Sequence, residues 1–238
     1  MGKIENKKKI LVLIPARGGS KSIKKKNLLK IKNKSLIEIS YNAVKNSQFV
    51  SKIICSSEDK MIINHCNKIG LETILRPKKY AKDNSDIFYT AKHALDYFKK
   101  KKLFFDIIVL IQPTSPLLKK KQVNKLLKDF ILNYKKYSSF QTVHETPHNY
   151  HYLNSRVFDK KNNVYFKFKK ERKNKTNKQS KIKTFSFGNL IACKTSSLLA
   201  SKDFFPQPCK PILIDRLSSF DLDNKEDLKI FKKIYETN

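Results

Sequence analysis

A loop rich in glycine and cations follows the first apolar run of the chain and carries residue types that bind anions. Its members of interest are Arg17, Gly18, Gly19, Ser20, Lys21, Lys26 and Asn27. Glycines after a strand let backbone N–H groups turn toward an anion, and Arg17 and Lys21 are spaced to hold successive phosphates. The loop matches neither the G-x-x-x-x-G-K-[ST] pattern nor the G-x-G-x-x-G pattern. The alternative is a solvated basic loop with no ligand.

Two aspartates near the end of the chain, Asp221 and Asp223, are spaced to point to one side of an extended segment. Residues two apart share a face in extended backbone, so both carboxylates can converge on one point. Mg²⁺ typically takes one or two carboxylates and completes its octahedron with phosphate oxygens and water. The pair therefore predicts a metal site for Mg²⁺. The alternative is that one aspartate caps the closing helix near Asn224 while the other pairs with a lysine.

A third polar segment, residues 112–116, follows the apolar run at 106–111. Gln112 offers the donor and the acceptor needed to read a nucleobase amide, and Pro113 and Pro116 restrict the backbone around Thr114 and Ser115. The alternative is a rigid turn with a helix N-cap at Ser115. Taken together, a phosphate loop, a paired-aspartate metal site and a base-reading loop describe a nucleotidyltransferase.

Short apolar runs alternate with helical patterns through the first 132 residues. Strands are predicted at 10–15, 53–55, 71–75 and 106–111, and helices at 28–44, 59–69 (with a capping box from Ser56 and an end at Gly70), 87–98 and 119–132. Short apolar strands that alternate with helices predict an α/β fold, with a doubly wound, mostly parallel sheet of the Rossmann-like nucleotidyltransferase type. Its ligand crevice is expected at the carboxyl ends of the strands, where loops 17–27 and 112–116 begin.

The pattern changes between residues 140 and 187, which are rich in Tyr, Phe, Lys, Asn and His. Strand-like alternation at Val164–Phe168 indicates β structure rather than another strand–helix unit. We therefore interpret 140–187 as a small inserted subdomain between two parts of a core, 1–139 and 188–238. A final amphipathic helix, carrying Leu228, Ile230, Phe231 and Ile234, closes the core.

The net charge of +32 comes from 52 Lys+Arg against 20 Asp+Glu, and only five of the basic residues are arginine. This lysine excess favours compositional drift over a specific nucleic-acid partner, because phosphate-clamping proteins usually exploit the bidentate Arg fork. A non-catalytic protein that binds RNA or an anionic surface is the alternative. The longest apolar run, 10–16, is too short for a membrane span. We expect a soluble cytoplasmic protein.

Several motifs resemble those of the acylneuraminate cytidylyltransferases, the CMP-sialic acid synthetases, in order and at similar intervals. They are Ile14–Lys21 (IPARGGSK) with Lys26-Asn27, Ser56-Ser57-Glu58-Asp59, Arg76-Pro77, Ala81-x-Asp83, Gln112–Leu117 (QPTSPL) and Ser219–Asp223 (SFDLD). The resemblance is good over about 1–145, moderate over 187–238 and not clear over 146–186.

This resemblance implies a homodimeric enzyme that joins CMP from CTP to the anomeric hydroxyl of a nine-carbon 2-keto sugar acid, a nonulosonic acid, for surface glycans, and releases pyrophosphate. It implies that Arg17, Lys21 and Lys26 grip the CTP triphosphate, and it assigns 140–187 to dimerisation and sugar contact. It also implies that the cytidine is held by Asn27, Gln112 and Ser115, in a nucleotide site that includes Gly18, Gly19, Ser20 and Thr114. The residues expected to carry catalysis are Arg17, Lys21, Asp221 and Asp223, the last two with Mg²⁺.

The chain departs from the family pattern at two places where an arginine is common. Leu118 directly follows the QPTSPL motif, and Phe185–Asn189 replaces a stretch of the form Arg-x-Asn-Gly. The QPTSP motif favours a sialic- or legionaminic-type acceptor over a pseudaminic one. A KDO-like or other sugar nucleotidyltransferase and a homologue that has lost activity are the alternatives within this fold.

Overall fold

A computed structural model describes residues 8–237 of the chain, and seven of its strands form one mixed sheet. In chain order the strands and helices are β1 Ile10–Pro15, β2 Lys30–Ile31, β3 Lys34–Ser35, α1 Leu36–Asn42, β4 Lys52–Ser57, α2 Lys60–Lys68, β5 Thr73–Leu75, α3 Ile87–Lys100, β6 Ile107–Ile111, α4 Lys120–Leu132, β7 Ser139–Glu145, β8 Arg156–Phe158, β9 Val164–Phe166, α5 Lys169–Arg172, β10 Phe185–Lys194, α6 Thr195–Ser201, β11 Cys209–Leu213 and α7 Lys225–Thr237.

The strand order across this sheet is β11-β7-β10-β6-β1-β4-β5. Strand β1 pairs in parallel with both β4 and β6, and β5 and β11 are also parallel to their neighbours. Only β10 runs against its two neighbours, β6 and β7. The doubly wound, mostly parallel fold predicted from the sequence is confirmed. Because the chain moves from β1 to β4 on one side and later to β6 on the other, a crevice opens between the loops that follow β1 and β6.

Successive residues of β1 pack against opposite layers of helices, which explains why the whole strand is apolar. Ile10, Val12 and Ile14 are fully buried in a cluster that includes residues of α2 and α4. Leu11 and Leu13 are fully buried on the other face, against residues of α3. A strand covered on both faces can anchor the polar loop that follows it.

The helix expected over residues 28–44 is wrong in its first half. A 3-10 turn at Lys26–Leu28 leads into the β2–β3 hairpin, and α1 begins only at Leu36. The hairpin turns through Lys32 and Asn33, which both have positive φ. Ser35 ends the hairpin and caps α1, because its hydroxyl accepts the Glu38 N–H at 3.1 Å.

The cap expected for α2 at Ser56 is also wrong. Ser56 is fully buried within β4, and the carboxylate of Asp59 caps the helix instead. Its Oδ1 accepts the N–H groups of Met61 at 2.7 Å and Ile62 at 3.2 Å. The predicted end at Gly70 agrees with the structure, since Gly70 has a φ of 72° that suits glycine.

The predicted bounds of the insertion, 140–187, are too wide at both ends. Residues 140–145 belong to β7 and residues 185–187 to β10, and both strands are paired in the central sheet. The part outside that sheet is 146–184, which holds the β8–β9 hairpin and the short helix α5.

In the closing helix α7, Phe231 is fully buried whereas Ile230 is half exposed. Among the helices within residues 8–237, none is long and apolar enough to cross a membrane.

Candidate active site

A cleft of about 480 Å³ opens at the carboxyl ends of β1 and β6. Its walls come from the loop after β1, the segment 76–90, the loop after β6 and the segment before α7. The charged and amide side chains that line it are Arg17, Lys21, Lys26, Asn27, Arg76, Lys82, Asp83, Gln112 and Asp223. The three polar segments singled out in the sequence therefore meet at one cleft.

The first loop passes so close to α2 that position 18 must be glycine. A Cβ at Gly18 would lie 2.2 Å from Oδ2 of Asp59, the capping residue of α2. The Gly18 N–H donates to Oε1 of Glu58 at 2.8 Å. Gly19 is different, because a Cβ there would meet no atom within 4 Å. Close approach thus fixes the start of the loop against β4 and α2.

A buried ion pair holds this loop from behind. Nη2 of Arg76 donates to Oε2 of Glu58 at 2.7 Å, while the other carboxylate oxygen of Glu58 accepts the Gly18 N–H. Arg76 is only 5% exposed, and its Nη1 donates to Thr90 Oγ1 at 3.4 Å. The side-chain amide of Asn27 donates to the Arg17 carbonyl at 2.8 Å from the other side. The loop enters the cleft with a backbone fixed at both flanks.

The two cations at the mouth of this loop share one carboxylate. Arg17 pairs with Oδ1 of Asp83, and Lys21 pairs with Oδ2 of Asp83 at 2.6 Å. Hydrogen bonds from Lys21 and Arg17 hold the pKa of the Asp83 carboxyl below its usual value. All three side chains line the cleft; Lys21 is largely exposed, whereas Arg17 and Asp83 are partly exposed. They place positive charge where a polyanion can enter.

The segment with the paired aspartates lies directly against the first loop. Lys26 Nζ lies 3.6 Å from Oδ1 of Asp223 and donates to the Leu222 carbonyl at 2.9 Å. The Leu222 N–H in turn donates to the Thr114 carbonyl at 2.8 Å. One short stretch of backbone therefore connects the cationic loop with the loop after β6.

Neither aspartate is used to cap α7. The side chain of Asn224 accepts the N–H groups of Glu226 at 2.8 Å and Asp227 at 3.0 Å, and Asp227 accepts the N–H of Asn224 at 2.9 Å. The interpretation in which one of the pair caps the helix is therefore wrong. The contact between Asp223 and Lys26 agrees with the second half of that alternative.

The surroundings of Asp221 fit a bound cation. Its Oδ1 is buried and has no hydrogen-bond partner within residues 8–237. Burial raises the pKa of the Asp221 carboxyl and the charge of Asp223 adds to this rise, while a hydrogen bond with the Thr114 side chain opposes it. A buried carboxylate oxygen without a donor is costly, and a hard divalent cation would satisfy it. The described residues contain no cluster of three or more His, Cys, Asp and Glu side chains suited to a metal, so substrate oxygens and water would complete the shell.

The loop after β6 presents Gln112 to the cleft and buries Ser115. The Ser115 N–H donates to the Gln112 carbonyl at 3.0 Å, which closes a tight turn. The N-cap of α4 is Lys119, so the alternative that Ser115 caps this helix is wrong.

Most of the predicted site residues line the cleft, namely Arg17, Ser20, Lys21, Lys26, Asn27, Gln112, Thr114 and Asp223. The predicted site residues that lie beside the cleft without lining it are Gly18, Gly19, Ser115 and Asp221.

Comparison with known proteins assigns the chain to a family. A family model described as Cytidylyltransferase matches residues 11–234 of the chain. The chain belongs to the cytidylyltransferase family. This membership confirms the resemblance found in the sequence motifs.

Relatives of this cytidylyltransferase match over nearly its whole length. It is 29% identical to the pseudaminic acid cytidylyltransferase of Campylobacter jejuni (strain 81-176), over 97% of each chain. It is 27% identical to the CMP-N,N'-diacetyllegionaminic acid synthase of Legionella pneumophila, again over 97% of each chain. The fold is similar to that of CMP:2-keto-3-deoxy-manno-octonic acid synthetase complexed with CTP, with a TM-score of 0.72, 15% identity, and 96% of this chain and 99% of that chain covered.

Some side chains around the cleft of this cytidylyltransferase had no role in the sequence analysis. Glu58, Arg76 and Asp83 appeared there only as members of motifs, and Tyr80 not at all. Arg76 is the one with a usable sequence signal, because an arginine directly after strand β5 stands at a carboxyl end of the sheet. The pairing of Asp83 with Arg17 joins residues 66 positions apart and leaves no local pattern.

Proposed function

We propose that this cytidylyltransferase transfers CMP from CTP to the anomeric hydroxyl of a nonulosonic acid, a nine-carbon 2-keto sugar acid, and releases pyrophosphate. The observation that carries the proposal is the meeting of Lys26, Asp223 and Thr114 at one cleft, because it brings fixed cations, paired carboxylates and a base-reading loop together. Two relatives that match 97% of the chain are named for pseudaminic and legionaminic acid, and both names support a sugar acid of this class.

The cations of the first loop are proposed to bind the triphosphate. Arg17 and Lys21 reach the cleft from a backbone anchored by Gly18, and Lys26 stands on the side of Asp223. Positive groups at this position stabilise negative charge that grows on a leaving pyrophosphate. Asn27 and Gln112 line the same cleft and are proposed to hold the cytidine. Ser115 is proposed to support Gln112 through the turn they share.

Asp221 and Asp223 are proposed to hold a Mg²⁺ ion. The donor set fits, since two carboxylates and an unsatisfied buried oxygen at Asp221 suit a hard cation that keeps open positions for phosphate and water. When bound, the ion offsets charge on the α-phosphoryl oxygens and lowers the pKa of the attacking hydroxyl. Lys26, placed beside Asp223, would keep this carboxylate oriented toward the cleft.

The transfer itself exchanges one phosphorus–oxygen bond for another. The anomeric oxygen of the sugar acid forms a bond to the α-phosphorus of CTP, and its hydroxyl proton passes to solvent. The bond from the α-phosphorus to the oxygen that bridges to the β-phosphorus breaks, and pyrophosphate carries away the electron pair. Arg17 and Lys21 would hold the leaving group in line with the attacking oxygen.

The acceptor and the assembly are further parts of this proposal. Residues 112–116 favour a sialic- or legionaminic-type acid, and one relative that matches 97% of the chain is named for legionaminic acid, whereas another is named for pseudaminic acid. Residues 146–184, which lie outside the central sheet, are proposed to contact the sugar and to form a homodimer. An enzyme of this kind would act in the cytoplasm, where CTP is available.

Pyrophosphate release tests the proposal. Purified protein is incubated with CTP, Mg²⁺ and each of four acceptors: N-acetylneuraminic, legionaminic, pseudaminic and 3-deoxy-manno-octulosonic acid. We expect Mg²⁺-dependent release with one of the first three, at least a hundredfold weaker in Asp223→Ala, in line with the loss of a group that stabilises transition-state charge. Asp96→Asn removes an exposed carboxylate from α3 and is the matched control.

Three outcomes would contradict the proposal. Release with the octulosonic acid alone would move the enzyme to a different acceptor class. Equal release by Asp223→Ala and Asp96→Asn would remove the metal site from the aspartate pair. No release with any acceptor, from protein that unfolds cooperatively, together with salt-sensitive binding to RNA, would favour the non-catalytic alternative.

A further inference from the structure

Asp83 occupies the space between the two cations that the proposed function assigns to phosphate. Each oxygen of its carboxylate takes one partner, Oδ1 facing Arg17 and Oδ2 lying 2.6 Å from Lys21. All three side chains line the same cleft. A bidentate anion held by an arginine and a lysine has the form of a bound phosphate, and here the chain supplies that anion itself.

The backbone on both sides of Asp83 is fixed, while its side chain is free to leave. The hydroxyl of Ser85 accepts the Lys82 N–H at 3.1 Å and donates to the Lys79 carbonyl at 3.0 Å. Asp86 caps α3 by accepting the Phe88 N–H at 2.8 Å. The Asp83 side chain itself is 46% exposed and Lys21 is 84% exposed. Ion pairs this exposed are weak, so a stronger anion can displace the carboxylate.

The charge of the ligand decides whether this displacement is favourable. One carboxylate brings a single negative charge to Arg17 and Lys21, whereas pyrophosphate and the end of a triphosphate bring several. A highly charged ligand therefore gains more from the two cations than Asp83 loses. A ligand that reaches Arg17 and Lys21 with one weakly charged group gains little by replacing the Asp83 carboxylate.

We infer that Asp83 is a specificity-determining residue that holds Arg17 and Lys21 in the free protein and is displaced by the oligophosphate of the substrate. Its return to the two cations would assist the departure of pyrophosphate. The inference rests on the proposed function only in requiring that Arg17 and Lys21 bind phosphate. Asp83 acts as a competing anion, and removing its charge should strengthen phosphate binding.

Calorimetry with inorganic pyrophosphate tests this directly, without a sugar acid. Pyrophosphate is titrated into wild-type protein, Asp83→Asn and the control Asp96→Asn, each in EDTA and at fixed ionic strength. Because two exposed ion pairs are lost as competitors, we expect Asp83→Asn to bind about three- to tenfold more tightly. Asp96→Asn also removes one exposed carboxylate that pairs with a lysine, so it controls for net charge, and we expect no change.

A second variant separates competition from a general change in charge. In a Lys21→Ala background one of the two partners of Asp83 is gone, so adding Asp83→Asn should improve pyrophosphate binding less than it does in the wild type. Unchanged or weaker binding by Asp83→Asn would overturn the inference, as would an equal gain in both backgrounds. Tighter pyrophosphate binding by Asp83→Asn with no turnover of any acceptor would sustain the inference and count against the proposed function alone.

Discussion

Replacing Gly18 by alanine is expected to disturb both the first loop and the start of α2. The new Cβ would lie 2.2 Å from Oδ2 of Asp59 and 2.8 Å from its Cβ and Cγ. Asp59 cannot move aside without cost, because its Oδ1 accepts the N–H groups of Met61 and Ile62 that cap α2. Either the cap breaks or the loop shifts away from Glu58.

The magnitude follows from these two alternatives. Loss of a helix N-cap costs about 0.5–2 kcal/mol of the free energy of unfolding, and overpacking of a close contact costs about 1–3 kcal/mol. Since relief of one cause relieves the other, we expect a total near 2 kcal/mol rather than the sum. For a domain of this size that corresponds to a fall of roughly 4–8 °C in the melting temperature.

Gly19→Ala is the matched control, because a Cβ at Gly19 would meet no atom within 4 Å. We expect it to change the free energy of unfolding by less than about 0.5 kcal/mol. Urea denaturation followed by circular dichroism measures both variants, and calorimetry with CTP reports on the loop. If Gly18→Ala were as stable as Gly19→Ala and bound CTP equally well, the close approach of the loop to Asp59 would be refuted.

Two further predictions concern groups around the cleft. Asn189 has a positive φ, and its side chain donates to the Ser219 carbonyl at 2.7 Å, just before the aspartate pair. Asn189→Gly keeps that backbone conformation but removes the donor, so we expect the Mg²⁺ concentration for half-maximal pyrophosphate release to rise about two- to fivefold, in line with one lost hydrogen bond. An unchanged concentration would remove Asn189 from a positioning role. Lys21 and Arg17 lower the pKa of the Asp83 carboxyl in the folded protein, so its ion pairs stabilise the fold at pH values above the unfolded pKa, and this contribution is lost as the pH falls through the lowered folded pKa. A carboxyl titration by NMR should show the pKa of Asp83 rising toward its usual value in Lys21→Ala. An identical titration in Lys21→Ala and the wild type would contradict the pairing.

The parallel core of the sheet could be predicted because its buried strands appear in the sequence as short apolar runs. The run at 10–15 is apolar at every position, and the structure shows why, with Val12 and Leu13 buried in opposite layers. Strands of this kind also fix where their loops emerge, so the meeting of loops 17–27 and 112–116 followed from the fold class.

The wrong secondary-structure predictions fall where the spacing of apolar residues did not reflect the local backbone conformation. Residues 28–44 carry apolar spacing suited to a helix, yet Lys32 and Asn33 adopt positive φ and fold the chain into the β2–β3 hairpin. The Ser35-x-x-Glu38 spacing is a helix-start signal that marks the true beginning of α1. At 140–187 the mixed composition hid β7 and the first residues of β10, because these stretches are only partly buried and so lack an all-apolar pattern.

The side-chain contacts around the cleft could not be predicted from local sequence patterns. Asp83 joins Arg17 across 66 positions, and Lys26 reaches the Leu222 carbonyl across 196. Contacts of this range depend on the packed sheet, so residue types and spacing can nominate their members but not their partners. The burial that leaves Asp221 Oδ1 without a hydrogen-bond partner is likewise a property of the packed fold.

A crystal structure of the protein with CTP and Mn²⁺ tests the central claim most directly, because Mn²⁺ replaces Mg²⁺ at oxygen ligands and gives an anomalous signal. The account predicts an anomalous peak within coordination distance of both Asp221 and Asp223, with the triphosphate against Arg17 and Lys21 and the side chain of Asp83 displaced from them. A nucleotide bound outside the cleft, or Mn²⁺ held away from both aspartates, would contradict it.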